Sequence, residues 1–547
     1  MELRRYSATR WTLTEVATGS WSAAPATAAG TAGAAGSGTY KYVVTAIADN
    51  TYEESEASSV MTIASAATPT AAAPNVVNWT AVSGAIEYRV YGDGGTGNGT
   101  YGYLGVATGM NSFRDVGTAP DFADTPPTFP TLFDASLQYP AVNVIYQQRR
   151  LMAGTDTDRE LVHASRVGYY NNFSRRSPLQ DDDALTFRVA SKEVHPIRHM
   201  RELAQGLVML TDAGEWILQG DETGTLTPTA INPRQHGWVG ASYASPVVIG
   251  HSILFVQARG NMMRDLRFDE RVEGLSGRDL SLFSGHLFKG YTIGELAYAQ
   301  VPESIVWAVR NDGTLLGLTY NREEDVWGWH RHDTDGLFES VCVIPEDDED
   351  AVYVVVKRTI DGATKRYVER LHTRVFTDVE DAFFVDCGLS YDGAPATVFS
   401  GLDHLEGKTV NVLADGAVPT GTFVVDSGSI TLPSAASVVH IGLPITAELE
   451  TLDLDVQGTD IRGRRKIVKA LDLLLEASSH GFYTGPDADH LFAESPETWD
   501  TAAGLVDGLV ATSLTSGFTD HGRVFIRHTA PTPLTILALL PQVEMAG

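Results

Sequence analysis

Glu406-Gly407-Lys408-Thr409 carries the Gly-Lys-Thr end of a phosphate-binding loop. Such a loop needs four residues between its first glycine and the Gly-Lys pair, so that backbone N–H groups wrap the phosphates. Here Gly401 and Gly407 are separated by five, and Leu402 stands where a glycine is needed. The residues that follow, 410–413, read as a strand, whereas the anion requires a helix N-terminus. The tetrapeptide reads as a turn. Gly92-Asp93-Gly94-Gly95-Thr96-Gly97-Asn98-Gly99 has no helix after it and no downstream acidic partner, and reads as a flexible hairpin loop.

The acidic runs Asp181-Asp182-Asp183 and Glu346-Asp347-Asp348-Glu349-Asp350 lack the alternating carboxylates, turn glycine and distal glutamate of a calcium loop, and read as solvated turns. Asp487, Asp489 and His490 are better spaced for a cation, but a Pro-Asp turn explains them equally well. His330 and His332 flank Arg331 on an expected strand, so both imidazoles point to one face, and they read as a surface or interface pair rather than a zinc site. Cys342 and Cys387 lie in apolar, strand-like runs and read as buried and inert. No Gly-x-Ser-x-Gly elbow or His-Glu-x-x-His helix occurs. With 69 carboxylates, a pair at glycosidase spacing arises by chance and discriminates nothing. We therefore assign no catalytic, cofactor-binding or metal-ligating residue, expect no cofactor, and read the chain as a non-enzyme.

These residues sit on a chain of 547 amino acids with 40 Lys and Arg against 69 Asp and Glu, a formal charge of −29. That balance argues against a broad nucleic-acid-gripping face. A hydrophobic share of 43% excludes wholesale disorder, and the length implies several domains or one very large one. Two cysteines exclude a disulfide scaffold and an all-cysteine zinc site. Met1-Glu2-Leu3-Arg4-Arg5 leads into no secretory apolar segment, and no apolar run is long enough to span a bilayer as a helix. The expectation is a soluble protein assembled inside a cell.

The 52 glycines and 24 prolines, set among Val, Thr, Tyr and Trp, favour strands and turns. Ile305-Val306-Trp307-Ala308-Val309 runs into Asn311-Asp312-Gly313, a hairpin turn, and returns through Leu315, Leu316 and Leu318. The same grammar recurs at Asp212-Ala213-Gly214, at Arg259-Gly260-Asn261 and at Asp361-Gly362. Hairpins spaced this way suit the four-stranded blades of a propeller. The fold class is therefore all-β, a propeller-like body of antiparallel hairpins. The expected division is a partial β-module and low-complexity linker over 1–66, a sandwich module over 67–128, a propeller-like body over 129–393, a small inserted barrel over 394–450 and closing strands over 451–547. Residues 23–38, almost all Ala, Gly, Thr, Ser and Pro, should bury no core. For 466–477 periodicity alone does not separate a helix from a buried strand.

Asn78-Trp79-Thr80 and Glu87-Tyr88-Arg89-Val90-Tyr91, with Phe113-Arg114-Asp115, resemble the fibronectin type III family over about residues 67–128. The resemblance implies a β-sandwich used for display or spacing. A second resemblance covers almost the whole chain. It is carried in order by Tyr146-Gln147-Gln148-Arg149-Arg150-Leu151-Met152-Ala153-Gly154-Thr155, Ala164-Ser165-Arg166-Val167-Gly168-Tyr169-Tyr170-Asn171-Asn172-Phe173-Ser174, Leu210-Thr211-Asp212-Ala213-Gly214-Glu215-Trp216, Asp312-Gly313-Thr314-Leu315, Thr319-Tyr320-Asn321-Arg322-Glu323-Glu324 and Gly401-Leu402-Asp403-His404-Leu405-Glu406-Gly407-Lys408. This ordered set resembles the tail nozzle (tail tubular protein B) family of short-tailed bacteriophages.

That resemblance implies a homo-oligomeric ring, usually sixfold, in the virion tail, assembled in the host bacterial cytoplasm. It implies contacts with a head-to-tail adaptor and with tail fibres, and passage of genomic double-stranded DNA through the lumen without specific binding. Members usually begin with a further β-rich segment, and Arg4-Arg5-Tyr6 with Trp11-Thr12-Leu13-Thr14-Glu15-Val16 looks like its end. An acidic wall would leave DNA free to slide, since each phosphate neutralised adds affinity. The alternatives are a tail-associated polysaccharide depolymerase or receptor-binding tail protein, and a cell-surface adhesin.

Overall fold

The computed structural model describes residues 2–546 apart from 8, 15–17, 134–137, 191–193, 260, 361, 456–460, 462, 480, 495–503, 513, 515 and 516. Glu15, Val16, Gly260 and Asp361, named above, lie outside the described residues. The chain is all-β and divides into two units, Met1–Ile293 and Gly294–Gly547.

In the first unit a long strand, Ala35–Ala48, pairs with Met61–Ala66 on one side and with Ala85–Gly92 on the other, and Gly102–Thr108 extends the sheet. A second pair, Asn75–Asn78 with Ser112–Asp115, contributes to the same core. Tyr42, Val44 and Ala46, alternating along one strand, pack with Val77, Trp79, Tyr88 and Val90. This is the expected sandwich, but its central strand comes from upstream of residue 67. The buried Glu54 carboxylate ties that upstream part in, accepting hydrogen bonds from Thr45 Oγ1 and from Tyr91 Oη at 2.6 Å each.

Residues 23–38 differ from expectation as well. Thr27 bridges to Trp79 and Thr31 to Val76, while Trp21 and Ala32 pack against the sandwich core. Small residues are needed here because the backbones approach closely. A Cβ on Gly33 would lie 2.2 Å from the Ala73 carbonyl oxygen, and one on Gly30 would lie 2.7 Å from the Ile63 side chain. Gly33→Ala should therefore cost about 2 kcal/mol or more, because backbone rather than a movable side chain must give way. A urea unfolding curve with an unshifted midpoint would contradict this.

Beyond the sandwich come successive antiparallel four-stranded meanders. The first is Val142–Tyr146, Arg149–Ala153, Leu161–Ala164 and Leu185–Arg188. The second is Ile197–Leu203, Gly206–Thr211, Glu215–Gln219 and Asn232–Gly237, and the third Val247–Ile249, Ser252–Val256, Met263–Asp269 and Gly274–Asp279. The strand Gly206–Thr211 shows how they pack. Leu207 and Met209 face the first meander beside Leu151 and Trp216, while Val208 and Leu210 face the third beside Ile253 and Phe255. A strand buried on both faces must be continuously apolar, as this one is.

The pattern repeats with Ile293–Ala299, whose first residue ends the first unit, and with Ile305–Arg310, Leu315–Asn321 and Val326–His332 of the second, followed by a three-stranded sheet of Leu337–Glu346, Glu349–Ile360 and Ala363–Arg370. The Asn311-Asp312-Gly313 turn is present, and Arg310 clamps Asp312 across it, holding that carboxyl down at about 2.

The small barrel expected over 394–450 is not closed. Its strands pair in the order Asp386–Ser400, Ser429–Leu443, Thr409–Ala414 and Phe423–Val424, leaving an open sheet over a core of Phe399, Val410, Val412, Ile430 and Val439. Closure would require the last strand to pair back along the first, and a strand of two residues cannot span one of fifteen. The ambiguous 466–477 segment is a strand, Lys466–Ser478, laddered on both sides by Val506–Thr512 and Thr535–Met545, with Leu471, Leu473 and Leu475 turned inward.

Candidate functional site

Strand alternation places His330 and His332 on one face, as expected, but the pair is half-buried rather than a surface feature. His330 lies opposite Gly317, and a Cβ there would fall 2.0 Å from the imidazole, so the glycine makes room for the ring. His330 Nδ1 and His332 Nε2 are 2.7 Å apart, and the Trp307 ring lies 5.8 and 5.1 Å from the two imidazoles. One nitrogen must donate and the other accept, which requires at least one neutral ring. Burial pushes both imidazoles down to about 4, helped by the Arg374 cation. Among the described residues, no group of three or more His, Cys, Asp or Glu side chains converges as metal ligands.

The cysteines correct the sequence expectation. Cys342 is exposed and Cys387 half-buried. Burial and the Glu369 carboxylate push the Cys387 thiol up to about 12, which leaves it protonated and unreactive at neutral pH. Asp181-Asp182-Asp183 is not a solvated turn either. Asp183 is fully buried and accepts from Arg176 Nε at 2.8 Å and from the Gln180 backbone, while Asp182 accepts from Arg166 at 2.7 Å and pairs with Arg176. Burial raises the Asp182 carboxyl, yet the two guanidiniums outweigh it and hold the group below its usual range.

The other candidates are turns. Glu346 and Glu349 flank a two-residue hairpin and share Arg370. Asp487 Oδ1 accepts from the backbones of Asp489 and His490 and lies 2.7 Å from His490 Nδ1. Glu406 accepts from the Ser427 and Gly428 backbones, and Lys408 pairs with Asp335 at 2.7 Å, so neither is poised for an anion. In the glycine-rich loop, Asp93 Oδ1 accepts from the Lys41 and Gly95 backbones at 2.9 Å each.

Composition and motif matching missed the role of Arg149. This residue is 1% exposed, and its guanidinium donates to the carbonyls of Ser165, Asp183, Asp181 and Leu226 at 2.8, 2.6, 2.7 and 3.4 Å. Gln147, at φ 47° in the tight turn just before it, donates to Gly224 O and accepts from Leu226 N. Together they join the first meander to the connection inside the second. Two arginines next to the turn, opening a strand that continues as Leu151-Met152-Ala153, were the available signal.

A cavity of about 420 Å³ in the second unit is bordered by Glu295, Arg310, Glu339 and Lys357. Glu295 accepts from Ser340 and Val341, Arg310 is committed to Asp312, and Glu339 to Arg366. Glu295 and Glu339 thus tie strands together and Arg310 holds a turn. Among the described residues, no helix is long and apolar enough to cross a membrane.

No family model matches the chain, and none of the curated proteins matches it. Solved structures similar to it include a protein from Lactobacillus plantarum, at 9% identity over 74% of this chain and 99% of that one, with a TM-score of 0.28. The N-terminal domain of Nup159 is similar at 11% identity over 73% of this chain and 90% of that one, with a TM-score of 0.25. Likenesses this distant carry no functional argument.

Proposed function

We propose that the chain is a structural subunit of a short-tailed phage tail nozzle, a closed homo-oligomeric ring through which double-stranded DNA leaves the virion, and that it catalyses no reaction. The observation that carries this reading is where the phrases resembling the nozzle family fall. Gln147 and Arg149 join two sheets, Asp212-Ala213-Gly214 and Asp312-Gly313 are hairpin turns, and residues 401–408 form a turn closed by Glu406. On this reading, the phrases that resemble the family serve to join sheets and close turns in this chain. The net charge of −29 supports a conduit that does not retain DNA.

Ring closure would use heterologous contacts around a rotation axis, with an adaptor above and fibres at the rim. The purified chain should form a rotationally symmetric annulus in electron micrographs and a discrete multimer in native mass measurements. A monomer at tens of micromolar, or an annulus with a strongly basic bore, would count against the proposal.

A further inference from the structure

A second cavity, of about 620 Å³, lies in the first unit where residues 18–23, the loop after the long sandwich strand and the loop at 169–172 meet. This volume falls within the range of small-ligand sites. Its walls carry Trp21, Tyr169 and Tyr170, the carboxylates Glu53 and Glu56, and the amides of Asn171 and Asn172.

The cleft is held in shape by bonds that cross it. Tyr169 Oη donates to the Thr51 carbonyl, Asn172 Nδ2 to Glu53 Oε1 at 2.8 Å, Gly19 N to Asn171 O at 3.0 Å, and Glu56 N to Ser20 Oγ at 3.2 Å. The Arg166 guanidinium lies 5.4 Å from the Tyr169 ring centre and fixes that ring from one side. Other groups are left over. Trp21 Nε1 is buried without a hydrogen-bond partner among the described residues. The Glu56 carboxylate is exposed, and Tyr170 is 38% exposed.

We infer that this cleft binds a neutral or N-acetylated oligosaccharide. Tyr170 offers a flat, partly exposed face against which the C–H face of a pyranose packs, and the unpartnered Trp21 Nε1 offers a donor in the same lining, whereas the Tyr169 hydroxyl is already spent on the Thr51 carbonyl. A sugar hydroxyl both donates and accepts, which matches a lining that holds the exposed Glu56 carboxylate and the Trp21 indole N–H, the Glu53 oxygens being engaged by Thr51 and Asn172. The lining includes two carboxylates and no Lys or Arg, and the Arg150 guanidinium behind it is engaged by Asn171 Oδ1 at 2.7 Å, so the face offered to a ligand disfavours uronic and sulfated sugars. Ala23 is its one aliphatic side chain, so the wall has no pocket for the apolar anchors on which peptide recognition depends. The inference does not depend on ring formation and is read by a different measurement.

The test is a glycan array spanning neutral, N-acetylated and uronic-acid oligosaccharides, probed with the full chain and followed by calorimetric titration of the best binder. Saturable binding to a neutral or N-acetylated member is expected. Tyr170→Ala should weaken it about tenfold, and so should Trp21→Phe, which keeps a ring and removes the indole N–H. Tyr170 stands half in solvent, so an unchanged thermal midpoint separates lost binding from lost folding. Absence of saturable binding to every neutral and N-acetylated member, a preference for the uronic acids, or affinities indifferent to both substitutions would overturn the assignment.

Discussion

Replacing Arg149 with methionine should destabilise the first unit by roughly 3–5 kcal/mol, among the largest single-residue effects expected in this chain. The methionine fills much of the arginine stem's volume but leaves the carbonyls of Ser165, Asp181, Asp183 and Leu226 without their donors in a site closed to water. Burial pushes the Arg149 pKa down and the Asp182 and Asp183 carboxylates push it back up, so the site is built around a cation. Arg149→Lys should recover only part of the loss, because an ammonium is a point charge and does not span carbonyls arranged around a planar fork. Urea unfolding followed by tryptophan fluorescence reads the change, since Trp216 sits in the core shared by the two sheets. A midpoint equal to that of the parent protein would show that the carbonyls find other donors, and the joint would then lose its importance.

Acidification from pH 7 to pH 4.5 should lower stability sharply, and the cause is histidine rather than carboxylate. Burial pushes His199 and His528 down to about 4, and the His330–His332 pair in the same direction. A histidine in the unfolded chain titrates near roughly 6.5, so between the two values the unfolded state binds protons that the folded state refuses. The stabilisation is thus complete above about pH 6.5 and is lost as pH falls through about 4. It amounts to up to roughly 3 kcal/mol for each of His199 and His528.

Glu215 and Asp386 work the other way, since burial raises both and protonation then favours the folded state. They offset part of the loss. The arginine-clamped Asp312, held at about 2, titrates below the window. Urea midpoints measured from pH 7 to 4.5 should fall, and His528→Gln should flatten the slope. A midpoint that holds or rises on acidification would refute this account.

The hairpin body was legible from local signals, whereas the sandwich was expected from its resemblance to the fibronectin type III family. The Asn311-Asp312-Gly313 turn is such a signal, set by residues that tolerate positive φ. That the strand Gly206–Thr211 is buried on both faces came from the packing of its neighbours. The Lys466–Ser478 segment was ambiguous because its apolar residues fit either period, and the ladders to Val506–Thr512 and Thr535–Met545 decided the matter. The two resemblances were likewise read from ordered phrases, and the larger one remains the basis of a proposal.

By itself, then, the sequence determined an all-β chain of antiparallel hairpins, because turn chemistry and side-chain alternation act over a few residues, while the sandwich near its start was expected from a family resemblance. Tertiary structure alone decided that residues 23–38 line the sandwich, that residues 394–450 form an open sheet and that Asp183 is clamped by arginines. It also decided that His330 and His332 lose solvent, and that Trp21 and Tyr170 share one cleft. Each of those outcomes depends on which distant backbone or side chain fills the space beside a residue, and burial, pairing and cleft formation are properties of that neighbourhood rather than of the residue itself.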